Sequence, residues 1–138
     1  MEVLLVHPGG PLWAKKDLGA WSIPKGELDD DQADYLATAK REFAEETGFL
    51  PPNGEFISLG SITQKHGKIV HAWACEGDVD TKTIKSNTFS MEWPPHSGRE
   101  QPFPEIDRGE FFTIAEAHQK IKPAQMDLLL RLQEIVGG

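Results

Sequence analysis

Nine consecutive residues, Arg41-Glu42-Phe43-Ala44-Glu45-Glu46-Thr47-Gly48-Phe49, constrain this chain more than any other stretch. Residues at i, i+3 and i+4 are neighbours on a helix surface, and Glu42, Glu45 and Glu46 occupy those positions. At about 100° per residue the three span an arc of roughly 100°, while Leu36, Ala39 and Phe43 fall on the adjacent arc and face a core. Gly48 is placed to end the helix. Like charges at this spacing each cost a few tenths of a kcal/mol in a bare helix, so the cluster asks for a cation. One reading is a hard divalent ion such as Mg²⁺, which is held by one or two carboxylates plus substrate phosphates. The other is a solvated acidic face partly neutralised by Lys40 and Arg41.

The run upstream favours the first reading. In Trp21-Ser22-Ile23-Pro24-Lys25-Gly26-Glu27-Leu28 a short apolar stretch reaches Pro-Lys-Gly ahead of an acidic segment. Pro24 and Gly26 mark a chain reversal from which Lys25 can point into whatever the loop encloses. With both halves in view the chain resembles the Nudix (MutT-like) hydrolase family, whose loop-helix-loop signature reads G-x5-E-x7-R-E-U-x-E-E-x-G-U, with U an aliphatic or aromatic residue. Arg41, Glu42, Phe43, Glu45, Glu46, Gly48 and Phe49 match its second half, and Gly26 matches its start.

The middle departs from that pattern. Gly26 lies fifteen positions before Arg41, one more than the family spacing, so the first signature glutamate falls on Gln32 or Ala33. Asp31 or Asp34 can stand in. Asp29, Asp30, Asp31 and Asp34 also suit the positive N-terminal end of a helix, with Asp31 the expected N-cap.

Length and composition fit a small enzyme. At 138 residues the chain is one domain's worth, read as a single domain over 1–138. The one cysteine, Cys75, excludes an intrachain disulfide and points to a reducing, cytoplasmic setting. Cys75 lies in a strand-like run and is expected to be a buried small hydrophobe. No stretch approaches the roughly 18 apolar residues of a membrane span, and Met1 runs directly into a strand-like segment rather than a signal peptide. A formal charge of −8 without a basic stripe argues against a nucleic-acid polymer as partner. A small phosphorylated molecule accompanied by Mg²⁺ is compatible with it.

Along the chain, strands and helices alternate. Glu2 to His7 reads as a buried strand stopped by Pro8-Gly9-Gly10-Pro11, followed by a loop from Leu12 to Ala20 and a strand-like Trp21 to Ile23. Beyond the helix, residues 56–64 and 68–76 form a hairpin through His66-Gly67. Residues 86–93 read as a strand, 94–108 as a Pro-rich loop and Phe111 to Thr113 as a short apolar segment. Thr113-Ile114-Ala115-Glu116 is a capping box opening a helix. Pro123 suits the first turn of a last helix carrying Met126, Leu129, Leu130, Leu132 and Val136 on an apolar stripe.

The resemblance covers nearly the whole chain and implies the α/β (α+β) Nudix fold, a mixed β-sheet sandwiched between α-helices. Family members usually have a further strand ahead of the equivalent of Glu2 to His7, so the sheet is expected to be short by an edge or completed by another segment or subunit. A monomer or a homodimer fits that expectation. The implied chemistry is hydrolysis of the pyrophosphate linkage in a nucleoside diphosphate joined to another group, with Mg²⁺ as cofactor and Mn²⁺ as a substitute. Glu42, Glu45, Glu46 and the Gly26 carbonyl are the implied metal ligands, and Arg41 orients a helix carboxylate. Lys25, Trp21 and Lys16 are nominated for the substrate.

In the diadenosine polyphosphate hydrolase branch a glutamate precedes a Trp by six positions at the start of a Leu-rich helix. Here Glu105 stands six before Phe111, which nominates Glu105 as general base or extra ligand. Trp93, Pro94, Pro95, His96 and Phe103 are open to stacking on a base or to closing the end of the core. His66, His71 and His96 are further acid/base candidates. The expected substrate is a dinucleoside polyphosphate or a nucleoside triphosphate. ADP-ribose, a nucleotide sugar and a non-catalytic nucleotide-binding role are the alternatives.

Overall fold

In a computed structural model of the chain, residues 1–24, 34–64 and 67–136 are described. Strand β1 (Glu2–Pro8) pairs antiparallel with β6 (Ile106–Thr113), β2 (Ile57–Thr63) with β3 (Ile69–Ala74), and β4 (Thr88–Glu92) with β5 (Glu100–Pro104). Helix α1 spans Tyr35–Thr47, α2 Ile114–Lys120 and α3 Met126–Ile135, with short 3₁₀ turns at Thr81–Thr83 and Pro123–Gln125. The strand-like segment after the first loop contributes two bridges, antiparallel from Ser22 to Val6 and parallel from Trp21 to Ile121. The α+β class expected from the sequence is observed, with its strands joined as three antiparallel ladders and these bridges.

Three local expectations change. Helix α1 is capped by Asp34, whose carboxylate accepts from the Ala37 N–H at 3.0 Å, while Asp31 lies outside the described residues. The expected Pro-rich loop contains β5 and the start of β6. Pro102 and Pro104 are tolerated in β5 because among the described residues it pairs with β4 alone, which leaves one side where a missing N–H breaks no ladder. Cys75 follows β3 and is half-buried, with its thiol near the Glu76 carbonyl.

Other signals act as read. Gly48 adopts φ 79° and its N–H closes α1 onto the Ala44 carbonyl. A Cβ there would lie 2.9 Å from the Lys85 carbonyl oxygen, so both conformation and space require glycine. Thr113 and Glu116 form the reciprocal capping box of α2.

Leu5, Ala20, Trp21, Phe112, Ala117, Ile121 and Leu129 form one buried cluster beneath β1 and β6. Ile62, Val70, Ala72 and Leu128 form a second between the β2–β3 hairpin and α3. The stripe on α3 is therefore shifted, since Leu128 is buried while Leu130 and Val136 are exposed. Arg131 ties α3 to β2 by donating to the carbonyls of Leu59 at 2.9 Å and Ser61 at 2.8 Å.

Candidate active site

The acidic face of α1 meets a second acidic position from the other half of the chain. The Asn87 N–H donates to the Glu45 carbonyl at 3.2 Å, and the Asn87 carbonyl accepts from the Glu105 N–H at 2.9 Å. On its far side the Glu105 carbonyl accepts from the Gly9 N–H at 2.8 Å. This backbone relay holds the β5–β6 junction between the end of β1 and the last turns of α1. As a result Glu46 and Glu105 line one cleft of about 150 Å³ together with Val6, Pro8, Ser22, Ile106 and Lys122.

On the helix, the Arg41 Nη2 lies 3.5 Å from Glu42 and its Nε 3.9 Å from Glu45. The Arg41 head is half-exposed and the distances are long, so these pairs contribute at most about 1 kcal/mol and Arg41 orients rather than locks the carboxylates. Burial, reinforced by the Glu45 charge, pushes the Glu42 carboxyl above its ordinary value, and Arg41 only partly opposes this. A carboxylate destabilised in this way gains from a cation brought among the three.

The donor chemistry fits Mg²⁺ or Mn²⁺, because every candidate side chain offers hard carboxylate oxygen. Among the described residues no three His, Cys, Asp or Glu side chains converge into a ready cation cage. The Gly26 carbonyl and the Lys25 side chain, nominated from the signature, lie outside the described residues. His66 does also.

One nominated substrate contact, Trp21, lies in the core, and another, Lys16, lies on the surface. Trp21 is 1% exposed and belongs to the core. Its indole N–H donates to Asp17 at 2.8 Å, and its ring packs edge-on against Phe112 and His7 at centroid distances of 5.0 and 5.1 Å. A ring enclosed in this way has no face to offer a substrate, which corrects its nomination. Lys16 is exposed, with Nζ 4.8 Å from the centre of the Trp13 ring. Of the other candidates, Phe103 packs on Phe89 at 6.1 Å and His71 stacks on Tyr35 at 4.1 Å. His96 is exposed.

Three residues that the sequence did not single out shape the site. Lys122 brings a cation into the cleft, and its backbone N–H donates to the Trp21 carbonyl at 2.8 Å. Ser22 lines the same cleft. Gln125, fully buried, accepts from the Ile23 N–H and donates to the Ser22 hydroxyl, each at 3.1 Å. It thereby fixes the segment that leads into Pro24 and the signature loop.

The model of the NUDIX domain matches residues 1–132, and the chain belongs to the Nudix family. The general chemistry of that family is hydrolysis of nucleoside diphosphates linked to another group. No curated protein matches the chain. No helix among the described residues is long and apolar enough to cross a membrane.

Proposed function

We propose that this protein is a Mg²⁺-dependent hydrolase that cleaves the pyrophosphate linkage of a dinucleoside polyphosphate or a nucleoside triphosphate. The observation that carries the reading is the shared cleft of Glu46, Glu105 and Lys122 beside the acidic face of α1. ADP-ribose and nucleotide sugars present the same bond and are the competing substrates.

Glu42, Glu45 and Glu46 would hold the metal, with the Gly26 carbonyl as a further donor. When bound, Mg²⁺ supplies positive charge for phosphoryl oxygens whose negative charge grows during displacement. Glu105 acts as the general base, accepting a proton from the water that attacks phosphorus. A new P–O bond forms on the water oxygen while the bond from phosphorus to the bridging anhydride oxygen breaks. Arg41 keeps the Glu42 and Glu45 carboxylates turned toward a common position. Lys122 offsets the charge of the phosphate chain inside an otherwise acidic cleft.

The test is release of phosphate or nucleotide from dinucleoside polyphosphates, nucleoside triphosphates, ADP-ribose and nucleotide sugars, with Mg²⁺ and with a chelator. Metal-dependent release from the first two groups is expected. Silence from a folded sample that still binds nucleotide would replace hydrolysis with a binding role.

A further inference from the structure

A second pocket, of 310 Å³, opens beside the acidic cleft and shares Pro8 and Glu105 with it. Gly10 and Trp13 form one side, and Phe89 and Met91 of β4 form the other. Of the side chains that line it, only the Glu105 carboxylate and the Trp13 indole carry polar atoms. Ligand pockets range over about 300–1,000 Å³, so this one is at the small end and suits one flat group rather than a whole dinucleotide.

Its shape depends on local backbone. Gly10 has φ +93°, and a Cβ there would come within 2.9 Å of the tip of the Phe89 ring. Glycine at this position lets the ring stand against the loop and keeps the pocket open. Phe89 is supported from behind by Phe103 across the β4–β5 ladder.

Charge is arranged at the border between the two cavities. The Nζ atoms of Lys16 and Lys122 lie 4.8 and 5.4 Å from the centre of the Trp13 ring, and Lys122 also lines the acidic cleft. A ligand with an aromatic end and an anionic arm matches this order, its ring between Trp13 and Phe89 and its arm passing Lys122 toward Glu46.

Resting on the hydrolase reading above, we infer that this pocket takes the aromatic base of the nucleotide and holds it by stacking, without reading its identity. Base–aromatic stacking tolerates every base because each has a π face, whereas discrimination needs hydrogen-bonding groups aimed at the base edge. The lining offers almost none. The phosphate arm, rather than the base, therefore selects the substrate.

Two measurements on the whole protein in Mg²⁺ test this. The first is KM for ATP, GTP, CTP and UTP. The second is quenching of tryptophan fluorescence by the four nucleoside monophosphates, which is independent of turnover. All four bases should bind within about fivefold of one another, and Phe89→Ala should weaken all of them about tenfold, or about 1.4 kcal/mol. Trp13→Phe, which keeps an aromatic ring, should remove most of the quench. Should Phe89→Ala fail to fold, Phe89→Leu keeps the bulk and loses the π face, and the same weakening is expected.

A preference of about a hundredfold for one base, or affinities unchanged by loss of the Phe89 ring, would overturn the inference. Quenching by all four monophosphates with no hydrolysis of any triphosphate or dinucleoside polyphosphate would overturn the proposed reaction and leave the pocket standing. Hydrolysis with no quenching by any of the four monophosphates would do the reverse.

Discussion

Glu45 and Glu105 are joined through the backbone of one residue, Asn87, which donates to the carbonyl of the first and accepts from the N–H of the second. The relay places the Glu105 side chain in the cleft that Glu46 lines from the helix. In the proposed reaction Glu105 and Glu46 would have separable tasks, proton transfer for Glu105 and metal binding for Glu46. Glu105→Gln should lower kcat by about 10²–10⁴, the range for loss of a general base, while leaving Mg²⁺ affinity near the parent value. Glu46→Gln should nearly abolish turnover and weaken Mg²⁺ binding, with the fold retained in both variants. Steady-state kinetics beside Mg²⁺ titration by calorimetry separates them, and an unchanged kcat in Glu105→Gln would remove it from the mechanism.

Gln125 yields a prediction about stability. Its amide spans from the Ile23 N–H to the Ser22 hydroxyl in a fully buried position. Gln125→Leu leaves that N–H without its amide partner, a cost of about 1–3 kcal/mol for a buried polar group. Denaturant unfolding should show this loss, and KM should rise as well because the Ser22–Pro24 entry to the signature loop loses its anchor. A rise in KM without a fall in stability would show that Gln125 acts on the substrate directly.

The parts of the fold that were legible in the sequence have short-range causes. The α1 carboxylates, the Gly48 stop and the Thr113–Glu116 capping box depend on residues within a helical turn, so spacing alone reveals them. Edge pairing was not legible in β5, because Pro102 and Pro104 read as loop until the strand is known to pair, among the described residues, on one side only. Trp21 reads as a substrate contact from its place beside the signature, and only tertiary packing against Phe112 and His7 reveals a core ring. Lys122 and Gln125 carry no local signal, since both reach the site through contacts with residues some hundred positions away. The nomination of Glu105 rests on its spacing from Phe111 in a resemblance, and its backbone link to the acidic helix runs through Asn87, which no local pattern reveals.

The acidic face of α1 predicts a pH dependence of stability that reverses with metal. Burial and the Glu45 charge raise the Glu42 carboxyl above its ordinary value near 4.5. The folded state therefore binds this proton more tightly than the unfolded chain. That stabilisation is fully present below the unfolded value and is lost as pH rises through the folded one. In chelator, Glu42 should thus contribute a fall in Tm as pH climbs out of the ordinary carboxylate range, and Glu42→Gln should remove this part of the fall. Mg²⁺ should raise Tm above that window and do little below it, where protons compete for the ligand. Thermal melts across pH, with and without Mg²⁺, provide the check. An identical profile for parent and variant would mean that Glu42 is not strained by its neighbours.

Gly9 offers a test of whether positioning Glu105 matters apart from the carboxylate itself. Its N–H donates to the Glu105 carbonyl, and a Cβ built on it would overlap the Pro104 carbonyl oxygen. The obstacle is backbone rather than a flexible side-chain end, so Gly9→Ala must push the β5–β6 junction away from β1. Overpacking of this kind costs about 1–3 kcal/mol, and the displaced junction carries Glu105 with it. Since a misplacement of about 1 Å can cost about 10² in rate, kcat should fall well beyond what the modest loss of stability explains. Glu46 is held by α1 and does not move with the junction, so Mg²⁺ affinity should stay near the parent value. If kcat and Mg²⁺ affinity fell together, the substitution would be acting on the whole fold, and the relay from Gly9 through Glu105 and Asn87 to Glu45 would not be the device that sets the base.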